Sequence, residues 1–281
     1  MSEALSLPGL KVLLIGPSGT GKTRALGTLA DWCEARGKEL FVLFTENGAE
    51  TLLGYWRDRD LSPPKSLHYH NALTQPVSLK NIMIGVDNTG KMSYELLTQS
   101  KDNNRGGENN AFYKILQACA DFPDDLSGKK FGAVDSWGVD KVFAIDSLSE
   151  VANASMKTVI GSRPTASPGD YGVAMNNLLN FLRLCTQSLK CTFVLTGHVD
   201  KQVNEISGTT QLMVKSLGKA LAADIPPLFS EVILTVREGD KFSWSTATHG
   251  VDTKTRSLGY RAGIAPDFAQ LMDTWTKRGG K

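Results

Sequence analysis

The sequence has no CxxC pair. Its four cysteines are Cys33, Cys119, Cys185 and Cys191, and only the last two lie close together. That spacing argues against a zinc site or a disulfide framework, both of which need tight, paired ligands. It predicts four reduced thiols in a reducing cytoplasm. No apolar stretch approaches the roughly 20 residues that a membrane helix requires. Met1 to Leu10 carries no basic segment ahead of a long apolar run, so neither a membrane anchor nor a secretory leader is expected. Charge of one sign is also scarce. A formal net charge of +2 over 281 residues supplies no strong field. Any nucleic-acid partner must therefore meet a local basic surface. There is no internal repeat. What is present, 41% hydrophobic and 21% charged residues, is enough to bury a core in one large α/β domain or two small ones.

Hydrophobic patterning organises the chain. Lys11 to Ile15 is a short apolar run bounded by glycines, as in a strand buried on both faces. From Lys22 to Arg36, Ala25, Leu26, Leu29, Ala30 and Cys33 recur at helical spacing, and Gly37 ends that helix. Leu40 to Phe44 reads as a second buried strand and Ala49 to Trp56 as a second helix. Strand, helix, strand predicts a mostly parallel sheet with helices on both faces. Residues from about 57 to 135 are less regular. They read as an elaboration, with a helix near Phe112 to Asp121 and a mobile polar loop over 101–110. Order returns with the strand Lys141 to Ile145. Residues 155–171 and 199–215 read as polar, turn-rich stretches. Between them lie a helix carrying Ala174, Leu178, Phe181, Cys185 and Leu189, and the strand Thr192 to Thr196. Glu231 to Val236 and Phe242 to Thr246 flank Gly239-Asp240, which predicts an antiparallel hairpin at a sheet edge.

The most specific chemical signal is Gly16-Pro17-Ser18-Gly19-Thr20-Gly21-Lys22-Thr23, a full match to G-x-x-x-x-G-K-[ST]. It follows a buried strand and opens a helix, the context its mechanism needs. Backbone N–H groups and the helix N-terminus would face phosphates. Lys22 would reach the β- and γ-phosphates, and the Thr23 hydroxyl would ligate Mg²⁺. With ordinary glycine usage, a chance match in such a chain is on the order of one per cent. Asp146 ends an apolar strand and could hold Mg²⁺ through water, or cap the next helix. Glu46 follows the strand after the P-loop helix. It could polarise an attacking water as general base, or serve as an N-terminal acid for the helix near Ala49. His198 follows Gly197 at another strand end, where it is either a structural histidine or a sensor of the γ-phosphate. Lys254 and Arg256 project the same way from an extended chain. They read either as a solvated pair or as cations that reach a neighbour's γ-phosphate.

With these groups in this order, the sequence resembles the RecA-like P-loop ATPases, and among them the phage-encoded, core-only members linked to single-strand annealing and recombination. The stretches that carry the resemblance are GPSGTGKT, LFVLFTENGAETL, VFAIDSLSE, FVLTGHVDK and DTKTRSLG, within a likeness covering most of residues 10–260. It implies a single α/β domain over 1–281 with an insertion at about 57–135, hydrolysing ATP with Mg²⁺ and placing Glu46 as the base. It also implies single-stranded DNA as partner, with 155–171 and 199–215 as the DNA-binding loops, offering Lys157, Arg163, Lys201 and Lys215 to phosphates. Lys254 and Arg256 would act in trans within a homo-oligomer that carries ATP at its subunit interfaces. A single-strand-binding protein would be a further partner, and the location the cytoplasm, of the host if the chain is phage-encoded. Three departures stand out: His198 sits where the sensor is often Gln, no N-terminal polymerisation domain is evident, and the insertion between Trp56 and Asp140 is longer than a minimal core of this family needs. Rival readings are a helicase- or packaging-type DNA motor, a small-molecule phosphotransferase, and a nucleotide-gated assembly switch.

Overall fold

The computed structural model describes residues 9–72, 79–91, 93, 110–161, 163, 165–203 and 210–280. The first half runs β1 (Lys11–Ile15), α1 (Lys22–Ala35), β2 (Glu39–Phe44), α2 (Ala49–Arg57), β3 (Leu67–Asn71), α3 (Leu79–Lys91) and α4 (Ala111–Ala120). Then follow β4 (Lys141–Asp146), α5 (Leu148–Ile160), α6 (Pro168–Arg183) and β5 (Thr192–Gly197). The chain continues through β6 (Val199–Val203), β7 (Thr210–Val214), α7 (Gly218–Asp224), β8 (Glu231–Glu238), β9 (Lys241–Ser245) and α8 (Phe268–Lys277).

Seven strands form one sheet in the order β3-β2-β4-β5-β1-β8-β9. Every neighbouring pair is parallel except β8 with β9 at the edge. The mostly apolar strands divide their side chains between two cores because successive residues point to opposite faces. Leu13, Ile15, Phe41, Leu43, Phe143, Ile145, Phe193 and Leu195 pack with residues of α4, α5 and α6. Val12, Leu14, Leu40, Val42, Phe44, Val142, Ala144 and Val194 pack with α1, α2 and α8. Helices therefore cover both faces, and the C-terminal ends of the parallel strands open onto one edge, where ligands of such sheets bind.

Three expectations are corrected. The segment 57–135 is not all elaboration, because β3 pairs along its whole length with β2 and extends the central sheet. Its histidines keep the strand from looking buried. His68 stacks on Phe41 with ring centroids 4.7 Å apart and lies 3.2 Å from Asp124, a partner 56 residues away. The stretch 155–171 is largely helical: α5 runs to Ile160, and α6 starts at Pro168 on a Ser167–Asp170 capping box. The stretch 199–215 holds the antiparallel hairpin β6–β7. Most of the polar loop expected over 101–110 lies outside the described residues.

All four cysteines are free and buried. Burial raises the Cys33 and Cys119 thiols to about 12, so neither is a nucleophile at neutral pH. Among the described residues no helix is long and apolar enough to cross a membrane.

The edge of the sheet remote from the P-loop is tied together by Glu231. Its carboxylate, with no exposed surface, accepts hydrogen bonds from Thr255 Oγ1 (2.6 Å), Arg256 N (3.1 Å) and Ser257 N (3.0 Å). Truncation would orphan these donors. Glu231→Ala is expected to lower stability by about 3 kcal/mol, and the Tm by roughly 6–12 °C. Glu231→Gln, which keeps an acceptor, should lose less; equal losses in thermal melts would mean the charge and not the acceptors matters.

Candidate functional site at the C-terminal edge of the sheet

Sheet order brings four strand ends side by side. The loop after β1 is the Gly16–Thr23 motif, and β5 lies next to it, with Ile15 opposite Gly197 and Gly16 N donating to Gly197 O at 3.1 Å. β4 follows, ending in Asp146, then β2, whose Phe44 pairs with Asp146 and whose chain runs on to Glu46. Residues far apart in sequence thus share one cavity of about 460 Å³, lined by Gly19, Lys22, Thr23, Glu46, Asn47 and His198, among others.

The loop itself is shaped by backbone demands. Gly19 and Gly21 have φ of 73° and 84°, left-handed values that side-chain-bearing residues rarely adopt. Thr235 of β8 holds the loop from below: its hydroxyl lies 2.6 Å from Thr20 Oγ1 and donates to Ile15 O at 3.1 Å. Each hydroxyl has one proton, so when Thr235 donates to Ile15 O, Thr20 donates to Thr235 rather than to Pro17 O, which lies 2.8 Å away. The N–H groups of the first turn of α1 have no partner within the helix, and Lys22, Thr23 and Arg24 of that turn line the cavity. Lys22 Nζ donates to the carbonyls of Gly16 (2.9 Å) and Pro17 (2.8 Å). Burial lowers its pKa from 10.5 to about 8, opposed by the charges of Asp146 and Glu46. An anion in the cavity would hold that proton more firmly.

Asp146 has no exposed surface. Thr23 Oγ1 donates to its Oδ2 at 2.7 Å, and Thr196 Oγ1 of β5 donates to Oδ1. Burial raises its pKa above 3.8 against the pull of these two hydroxyls. Thr45 anchors the next residue: its hydroxyl donates to Ser147 O (2.8 Å) and accepts from Ser147 N (2.9 Å). Glu46 Oε2 lies 3.3 Å from His198 Nε2, and the hydrogen bond from His198 is the main cause of a lowered Glu46 pKa. His198 O in turn accepts from Lys215 N at 2.8 Å, tying the pair to the base of the β6–β7 hairpin.

The donor set around Asp146 fits Mg²⁺ better than a metal caged by protein alone. Among the described residues no cluster of three His, Cys, Asp or Glu side chains is placed to hold a metal. A carboxylate and a hydroxyl at hydrogen-bond distance, beside an anion cradle, suit a cation that keeps waters and arrives with a phosphate. A roomier cavity of about 630 Å³ between β3 and α4 has no such set; Lys130 there pairs with Asp121, and His70 lies 2.7 Å from Asp125.

Not every candidate from the sequence joins the site. Lys254 and Arg256 lie at the opposite edge of the sheet, where Lys254 pairs through its backbone with Val232, near the start of β8. Lys254 Nζ donates to Phe229 O at 2.8 Å, and the Arg256 side chain is exposed. Neither can reach the cavity at Gly16–Thr23 of its own chain. Arg163 is engaged with Asp170 at 2.7 Å rather than turned to solvent for phosphate contact. Thr45, Thr196 and Thr235 hold the constellation together, yet no motif marks them in the sequence. Each is a polar residue closing or interrupting an otherwise apolar strand, and that interruption is the one local signal of its role. No protein-family model matches the chain, and no curated protein matches it significantly.

The raised pKa of Asp146 makes a pH-dependent cost. Above pH 3.8 the folded state holds this proton longer than the unfolded state, so stability falls as pH rises through the folded value and is level beyond it. Asp146→Asn removes the effect. Its stability relative to wild type, by urea unfolding without ligand, should rise from about pH 4 to pH 7. Parallel pH curves would show that the carboxylate is not desolvated.

Proposed function

We propose that the protein is a Mg²⁺-dependent ATPase of RecA-like type that acts on single-stranded DNA in recombination or annealing, as a homo-oligomer. The observation that carries this reading is the meeting of the Gly16–Thr23 loop, Asp146, Glu46 and His198 on four adjacent strand ends. In this reading the loop N–H groups and Lys22 bind the β- and γ-phosphates, and Thr23 and Asp146 hold Mg²⁺. The metal, when bound, neutralises charge on the phosphate oxygens. Glu46, whose pKa the hydrogen bond from His198 lowers further below neutrality, orients the attacking water and accepts its proton. His198 senses the γ-phosphate through Glu46 and passes its loss to the β6–β7 hairpin.

Support for a homo-oligomer is geometric. The Lys254–Arg256 segment lies on the edge away from its own cavity, so in this reading any phosphates its cations meet belong to another subunit. Support for DNA is the hairpin and its flank, where Lys201 and Lys215 are exposed next to His198. Contact there is with phosphates rather than bases, since neither lysine offers a stacking face.

Glu46→Gln should lower ATP turnover at least about 100-fold while nucleotide affinity stays within a few fold. Turnover at the wild-type rate would remove Glu46 from the role of base. Single-stranded DNA should stimulate wild-type hydrolysis; indifference to DNA would sink the DNA-coupled reading and favour a phosphotransferase or an assembly switch. The double variant Lys201→Ala/Lys215→Ala should reduce the slope of log affinity for single-stranded DNA against log salt by about 0.7 for each phosphate no longer neutralised. An unchanged slope in a fluorescence titration would place the DNA elsewhere.

A further inference from the structure

The cavity of about 630 Å³ lies at the C-terminal end of β3, on the same edge of the sheet as the cavity at Gly16–Thr23, and the two share no lining residue. Its size is that of a small-molecule pocket, and parallel sheets take ligands outside these strand ends. Two elements face each other across it. On one side Lys114, Gln117, Ala118 and Asp121 recur at three and four residues, so one face of α4 and its C-terminal end line the cavity. On the other side are His70, Asn71 and Ala72. Ala72 and Ala118 are buried, and their short side chains leave the space between them unfilled.

Asp125 arranges the strand side. Its N–H donates to Tyr69 O at 2.8 Å. Its carboxylate accepts from His70 Nδ1 (2.7 Å), Asn71 N (2.9 Å) and Asn71 Nδ2 (3.1 Å). With a donor of each side chain engaged, the groups left to accept are Asn71 Oδ1 and, in the neutral ring, His70 Nε2. Gln117 adds a side-chain amide with no partner among the described residues. Charge sets a second requirement. Lys130 and Asp121 lie 2.9 Å apart and offset each other. Lys114 Nζ has no ion pair or hydrogen bond among the described residues. The lining therefore carries one unbalanced positive charge beside uncommitted acceptors.

A ligand that meets both requirements has one negative charge and several O–H donors. A bare anion satisfies the lysine alone, and an uncharged polyol the acceptors alone. An amino acid returns a positive charge with its ammonium group. A phosphate monoester brings more negative charge than the lining balances. We propose that this cavity binds a small hydroxylated carboxylate of the sugar-acid class, its carboxylate on Lys114 and its hydroxyls on Asn71, Gln117 and His70. The inference is independent of the nucleotide reading.

The test is titration of the full chain with D-gluconate, acetate and sorbitol, followed in amide NMR spectra. Gluconate should shift the amides of Asn71, Ala72, Lys114 and Gln117 saturably in the millimolar range, and bind at least about tenfold more tightly than acetate or sorbitol. Lys114→Gln should weaken gluconate about tenfold and Gln117→Ala about fivefold, each with a Tm within about 2 °C of wild type, since neither side chain has a partner to lose. Acetate or sorbitol binding as tightly as gluconate overturns the ligand class. Absence of saturable shifts at these amides, or an unaltered gluconate affinity in both variants, overturns the site. The nucleotide reading stands or falls separately, on ATP binding and turnover.

Discussion

A carboxylate with no surface exposed to water needs other groups to take the place of solvent, and around Asp146 those groups are two threonine hydroxyls. Thr23 belongs to the first turn of α1, and Thr196 to the end of β5. The two hydrogen bonds therefore pin the Gly16–Thr23 loop, the strand that carries Asp146 and the intervening strand to one another. Remove the carboxylate and the loop loses the bond that fixes the opening of α1 against the sheet. The arrangement also leaves Asp146 poorly compensated, since hydroxyl dipoles replace water incompletely and the raised pKa records the deficit. A divalent cation beside Thr23 would supply the missing positive charge, which ties the stability of the site to its proposed ligand.

The parallel sheet makes this convergence possible. Strands buried on both faces carry few polar side chains along their length, so chemistry is confined to their ends. At the C-terminal edge the apolar runs break into Thr45-Glu46, Asp146-Ser147, Thr196-Gly197-His198 and Thr235. Each break supplies either a reactive group or the hydroxyl that holds one. Position in the sheet then settles which groups meet. β5 stands between the P-loop strand and the Asp146 strand, so Thr196 can bond Asp146 on one side while Gly197 accepts from Gly16 on the other.

Much of this is legible from local pattern. The buried strands, α1, the edge hairpin β8–β9 and the motif at Gly16–Thr23 each have a signature within a dozen residues. What escapes the sequence depends on partners distant along the chain. β3 is a core strand because His68 meets Phe41 and Asp124, which no window around residue 68 contains. α5 continues through residues that look loop-like because its outer face, with Asn153 and Lys157, is free to be polar. Ser167-Pro168-Gly169-Asp170 has the composition of a turn, yet the Ser167 and Asp170 side chains bond back to the backbone and start a helix. The β6–β7 hairpin is exposed on much of both faces, so it shows no clean alternation. The threonines of the site are visible as interruptions, but their roles depend on strand order, which composition does not encode.

The Glu46–His198 pair shows why strand order matters for coupling. Glu46 follows β2 and His198 follows β5, with β4 between them, so the 3.3 Å approach of their side chains spans the end of the strand that carries Asp146. A change in charge at the phosphate end of the cavity acts on both partners: it alters the field at Glu46, and with it the strength of the histidine's hydrogen bond. His198 cannot move freely in response, because its carbonyl is bonded to Lys215 N at the foot of β7 while β6 begins at the next residue. Displacement of His198 must then carry both strands of the hairpin with it. In the proposed reading, this anchoring at His198 is what would connect the nucleotide site with the DNA site.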